Sequence, residues 1–110
     1  MALIRGQRMS KNYLYQDLDV IKRINKLSEL PEYIEKNLNE NIVLRDYQVD
    51  AFRYFITYYE SPEFRKNKQV HNLFHMATGS GKTVIMAGLI LYLYMQGYRN
   101  FLFFVNQKNI

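Results

Sequence analysis

The chain has 110 residues, 48% hydrophobic and 23% charged, a balance that suits one compact domain with its own core and excludes an intrinsically disordered chain. It has no cysteine, which excludes a disulfide framework and any thiolate metal site. Fifteen Lys and Arg against ten Asp and Glu give a net charge of +5, which fits a polyanionic partner such as nucleic acid or nucleotide, and fits ordinary solubility charge as well.

The opening stretch, MALIRGQRMSKNYLY, carries basic groups but no uninterrupted apolar run with a small-residue cleavage site, so no secretory signal is expected and a cytoplasmic location is. Between residues 17 and 38, Leu18, Ile21, Ile24 and Leu27, then Tyr33, Ile34 and Leu38, recur every three or four positions. This spacing predicts two short helices, each with one apolar face. Pro31 is expected to open the second, where its missing N–H does no harm, and the Asn-rich stretch 37–41 reads as a loop.

A second zone begins at LRDYQ, residues 44–48, with Asp46 as the predicted N-cap of a helix. Val49, Phe52, Phe55, Ile56 and Tyr59 make its apolar stripe, and Ser61 and Pro62 end it. Residues 63–69, EFRKNKQ, read as a solvated loop, with contact to DNA as the alternative.

The third zone is strand, turn, helix and strand. Residues 73–76 form an apolar run that enters a Gly-rich turn, and a helix is predicted over 82–96, with Gly97 at the left-handed position of a C-terminal cap. FLFFV, residues 101–105, has the continuous hydrophobicity of a strand covered on both faces in a parallel sheet. The fold class read from this order is α/β, one βαβ unit with a right-handed crossover, preceded by short helices. The stretch 84–95 has no charged residue, but it is shorter than the roughly 20 residues that cross a bilayer, so it is expected to be a buried helix and no membrane is expected.

Residues 76–83, MATGSGKT, match the phosphate-loop pattern GxxxxGK[ST] at every fixed position except the first, which Met76 fills. The spacing has a physical reason. Gly79 and Gly81 allow backbone angles that a side chain would forbid, so that successive N–H groups, with those of Thr78 and Ser80, can turn towards a phosphate. The helix that follows offers its N-terminus to the same anion. Lys82 is placed to reach the β and γ phosphates of ATP, and the Thr83 hydroxyl to coordinate the Mg2+ that bridges them.

With MATGSGKT the sequence resembles superfamily 2 helicases and translocases, in which a residue other than Gly at the position of Met76 is tolerated. The resemblance implies the N-terminal part of a RecA-like domain. LRDYQ resembles the element that precedes the phosphate loop in restriction-type members, which implies that Gln48 reads adenine through its side-chain amide, with Arg45 adding a contact to base or phosphates. A Gln amide does offer the donor and acceptor that adenine's amino group and ring nitrogen require; read without the resemblance, Gln48 is equally an ordinary first-turn residue. FLFFVNQKNI resembles the strand and loop of motif Ia, which implies contacts from Asn106, Gln107 and Lys108 to the nucleic-acid backbone.

Taken together with PEYIEKNLN, these pieces look most like the Res subunit of type III restriction-modification enzymes, over residues 30–110. That implies a motor using ATP and Mg2+ to translocate on double-stranded DNA and cut it, in partnership with a methyltransferase-type Mod subunit. Type I restriction R subunits and stand-alone superfamily 2 helicases share some of the pieces. A non-catalytic nucleotide-binding module is a reading from another class. The expected organisation is a helical segment over 1–43 and, over 44–110, an incomplete ATP-binding helicase domain that stops after motif Ia. None of the ten acidic residues follows the phosphate loop, so the acid that would hold Mg2+ on a later strand is not in this chain, which is expected to be an inactive fragment of a longer motor.

Other residues have blander readings. His71 and His75 flank the predicted strand and lack the glutamate of a metalloprotease motif. Met86, Leu89, Ile90, Leu93 and Tyr94 are expected in the core, and Tyr33 and Tyr47 have nothing that ties them to a base.

Overall fold

The computed structural model describes residues 3–5 (backbone), 13–65, 70, 72–76, 81–102 and 104. In chain order the elements are β1 (Leu3–Arg5), α1 (Leu14–Arg23), α2 (Glu32–Asn37), α3 (Asp46–Glu60), α4 (Pro62–Arg65), β2 (Leu73–His75) and α5 (Lys82–Met95).

The two expected N-terminal helices form, with shifted ends. Leu14 and Leu18 anchor α1 in the core, and Ile24, counted on its apolar face, is instead its exposed C-cap. Asn25 takes a left-handed conformation, φ 57°, and the N–H groups of Asn25 and Lys26 bond to the carbonyls of Lys22 and Ile21, both at 3.0 Å. This is a Schellman ending, with Asn in the place glycine usually takes. It turns the chain so that Leu27 is buried although it lies beyond the helix. Pro31 is the N-cap of α2 rather than its first residue, and Ile34 is that helix's buried anchor.

α3 is the centre of the fold. It packs against α1, α4, α5 and β1, which is why Ala51, Phe52 and every residue from 54 to 58 is buried and the helix has more than the single apolar face its stripe suggested. Thr57 ties the α1–α2 connection to it: its hydroxyl donates to the Arg53 carbonyl at 2.7 Å and accepts the Ser28 N–H at 2.9 Å. The Arg53 guanidinium donates to the Ser28 carbonyl at 2.9 Å, so both backbone polar groups of Ser28 are satisfied by α3 side chains.

Part of the expected loop at 63–69 is helical. Phe64 in α4 is buried beside the Tyr58 ring, and Arg65 lies 4.6 Å over the Tyr59 ring; residues 66–69 lie outside the described residues. An aromatic cluster then joins α3 to β2 and α5. The Phe55 ring is 6.1 Å from Phe74 and meets Tyr92 edge-on at 6.2 Å, while Tyr59 meets Tyr92 edge-on at 5.8 Å.

The sheet differs from the expected one. Among the described residues it is an antiparallel pair, β1 with β2, in the register Leu3 to His75, Ile4 to Phe74 and Arg5 to Leu73. Phe101, Leu102 and Phe104 of the predicted second parallel strand are not in a strand, and Leu102 and Phe104 are 83% and 91% exposed; Phe103 and Val105 lie outside the described residues. The reason is that a strand, unlike a helix, has no hydrogen bonds of its own and exists only beside a neighbour.

α5 starts and stops as the sequence predicts. Gly81 caps its N-terminus, and Gly97, φ 112°, ends it through bonds from Gly97 N–H to the Tyr94 carbonyl at 3.0 Å and from Tyr98 N–H to the Leu93 carbonyl at 3.1 Å. Its inward line is Ile85, Gly88 and Tyr92, with Leu89 and Leu93 partly buried; Met86 and Tyr94, expected in the core, are 44% and 48% exposed. Among the described residues no helix is long and apolar enough to cross a membrane.

Candidate functional site

The site is built where β2 leads towards α5. Met76, the residue that departs from the glycine of the motif, is buried at the end of β2, where an apolar side chain stabilises the start of the loop. Thr78, Gly79 and Ser80 lie outside the described residues. Gly81 has φ 82° and ψ 40°, a left-handed conformation that glycine adopts at little cost, and its carbonyl accepts the N–H groups of Val84 and Ile85 at 3.1 and 3.3 Å. The chain thus turns directly into a regular helix whose first residues are Lys82 and Thr83, both exposed.

The electrostatics of that helix end are unusual. A helix N-terminus carries a partial positive charge and is normally matched by acidic side chains. The first turn of α5 has no acidic residue and begins with a lysine. Cation and helix end reinforce one another, and Thr83 adds a hydroxyl, so the donor set fits a phosphate anion with an accompanying hard cation.

The LRDYQ element is brought to the same place. Gln48 is only 5% exposed, and its Oε1 accepts the Arg45 N–H at 2.8 Å. Its Nε2 lies against Gly81: a Cβ on that glycine would stand 2.3 Å from it. Arg45, not Asp46, is the N-cap residue of α3, because the cap is made from inside the helix by Gln48 at its third position. The usual capping signature starts with Ser or Thr, so this one was hidden by the arginine; the Gln three residues on was the half of the signal that was visible. The Arg45 guanidinium donates to the Tyr47 hydroxyl at 3.1 Å.

Asn106, Gln107 and Lys108 lie outside the described residues, as does His71. His75 is exposed at the end of β2, and no group of three metal-ligating side chains occurs among the described residues. A residue that sequence reasoning missed is Gly88. A Cβ there would stand 2.3 Å from Phe52 Cζ, so the glycine sets the close approach of α5 to α3 that carries Gly81 to Gln48. Its visible signal was a lone glycine inside an otherwise apolar helix.

Comparison with known proteins gives the family. The sequence model described as "Type III restriction enzyme, res subunit" matches residues 41–110, which takes in the LRDYQ element, the phosphate loop and α5. The chain is 45% identical over 86 residues to the "Probable type III restriction-modification enzyme HindVIP Res subunit" of Haemophilus influenzae. That match covers 74% of this chain and 16% of the relative, so the chain spans about a sixth of its length. No solved structure matches. With more than half of its residues inside the family match, the chain belongs to the family of type III restriction enzyme Res subunits.

Proposed function

We propose that residues 76–83 bind the triphosphate of ATP together with Mg2+, and that the chain is the ATP-binding part of an ATP-driven restriction motor. Thr78, Gly79, Ser80 and Gly81 would cradle phosphate with backbone N–H groups, Lys82 would neutralise its charge, and Thr83 would ligate the Mg2+ carried in with the nucleotide. Gln48 and Arg45 lie on the side of the base in this reading. Bound Mg2+ supplies charge neutralisation between the phosphates; the chain's own groups bind and orient.

The observation that carries the reading is the pairing of left-handed Gly81 with an acid-free first turn in which Lys82 and Thr83 are exposed. Calorimetric titration with ATP and Mg2+ tests it. Binding should be detectable and should fall at least about tenfold, roughly 1.4 kcal/mol, in Lys82→Ala. Equal affinity in the variant would remove Lys82 from the site.

In the parent protein hydrolysis would drive translocation on double-stranded DNA and cleavage, with a methyltransferase-type Mod subunit supplying recognition, in the cytoplasm. Family membership and sequence identity to a Res subunit support this. The finer fold, a RecA-like domain whose parallel sheet gains FLFFV as a strand, and the DNA contacts from Asn106, Gln107 and Lys108, belong to the same proposal.

A second reading, binding without turnover, is favoured for the chain by itself. All ten acidic residues precede the phosphate loop, so none occupies a later strand where it could hold Mg2+ and orient water. Steady-state ATPase should therefore stay at background with or without DNA. Turnover that depends on Lys82 would show that an acid from the helical region completes the site.

A further inference from the structure

We propose that Gln48 is a positioning residue for the phosphate loop, acting through Gly81, so that part of its contribution to nucleotide binding does not depend on a base. This rests on the phosphate-loop reading above.

The geometry divides the Gln48 amide between two tasks. Its Oε1 accepts the Arg45 N–H at 2.8 Å, which fixes the side chain across the start of α3. Holding the oxygen there sets the direction of the nitrogen, and Nε2 fills the space that a Cβ on Gly81 would need, 2.3 Å away. Gly81 is where the loop becomes α5, so its peptide orientation decides where the Lys82 N–H and side chain begin. A side chain that served only to read a base would be expected near the surface, free to meet its ligand. Gln48 is instead 5% exposed and tied to the Arg45 N–H, and it buttresses the turn from the α3 side. Gly81 is then favoured twice: its left-handed φ disfavours any side chain, and a side chain there would push the Gln48 amide from the place where its oxygen meets the Arg45 N–H.

The two roles separate with a base-free probe, inorganic tripolyphosphate with Mg2+. A pure base reader predicts that Gln48→Ala weakens ATP and leaves tripolyphosphate unchanged. A positioning residue predicts that tripolyphosphate weakens as well, by about tenfold, which is about one step of 1.4 kcal/mol. Gln48→Leu keeps the volume without the amide and should behave likewise, and circular dichroism melting of each variant confirms that it is folded. A second measurement needs no ligand: Gly81→Ala should lower the melting temperature clearly less in the Gln48→Ala background than in the parent chain, since the clash is gone and only the left-handed strain remains.

Tripolyphosphate binding unchanged in folded Gln48→Ala and Gln48→Leu, or purely additive melting shifts, would overturn the positioning role while leaving the phosphate loop intact. Failure of the unaltered chain to bind tripolyphosphate at all would instead overturn the phosphate-loop reading itself, and this proposal with it.

Discussion

The ring of Phe52 occupies the volume that a side chain on Gly88 would require: a Cβ on Gly88 would lie 2.3 Å from Phe52 Cζ and 2.5 Å from Cε1, with Ile34 Cγ2 at 3.3 Å. Phe52 and Ile34 are both fully buried, so neither has open space to move into.

Gly88→Ala should therefore destabilise the protein. Two effects oppose each other: alanine gains up to about 1 kcal/mol in helix propensity over glycine, and overpacking a closed core costs about 1–3 kcal/mol. With Phe52 ring atoms inside contact distance, the overpacking wins, and a net loss of about 1–2 kcal/mol is expected. In a chain of this size that is a fall in melting temperature of roughly 5–10 °C. Phe52→Leu, which withdraws the ring, should make the second substitution much less harmful; equal damage in both backgrounds would show that α3 and α5 do not meet as described.

Lys82→Ala should move stability and binding in opposite directions. A lysine at the positive end of α5, with no acidic residue in its first turn, is unfavourable by about 0.3–1 kcal/mol when no anion is present. Its removal should raise the melting temperature slightly in low salt, and the gain should shrink as salt screens the charge. A lowered melting temperature would mean that Lys82 has a structural partner.

Thr57→Val should cost about 1–3 kcal/mol, because it strands the Ser28 N–H, which now bonds to the Thr57 hydroxyl at 2.9 Å. Thr57→Ser keeps the hydroxyl and should cost less. Urea unfolding of the two variants compares them; equal midpoints would assign the whole effect to packing.

Alkaline titration should unfold the chain through its buried tyrosines. Tyr54 and Tyr92 have hydroxyls pushed well above the ordinary value of 10.0, first by burial and then by hydrogen bonds to Asp19 and Glu60. The native state holds these protons more tightly than the unfolded chain does. Stability is thus fully present below pH 10.0 and declines as pH rises from there towards the native values. Tyr54→Phe and Tyr92→Phe should be less stable at neutral pH and should have a shallower decline above pH 10.0, measured by melting in a pH series. A decline as steep as in the parent chain would place its origin elsewhere.

The sequence made the elements of the helical region legible because their apolar residues alternate with charged ones, as in α1, where Leu14 and Leu18 stand among Asp17, Asp19 and Lys22. α5 had legible ends and an illegible face. Residues 84–95 have no charge to mark an outside, so the pattern could not separate buried Ile85, Gly88 and Tyr92 from exposed Met86 and Tyr94. The partner of β2 was hidden for another reason: Leu3–Arg5 is too short to show a period, and strand pairing is decided across the fold. At the site, the residue types of the phosphate loop and of LRDYQ were plain. That Gln48 would meet Gly81 depended on the close approach of α3 and α5 at Gly88, which no spacing encodes.

The ladder between β1 and β2 joins the first described strand to one far along the chain, with every helix except α5 lying between its strands. Contacts among those intervening helices close shorter segments and can form early, whereas the ladder closes a much longer loop and must wait until β2 has been made. The strand that leads towards the proposed phosphate loop is thus held by a late, long-range pairing, and a newly made chain can assemble the four helices before it while that strand still lacks its neighbour.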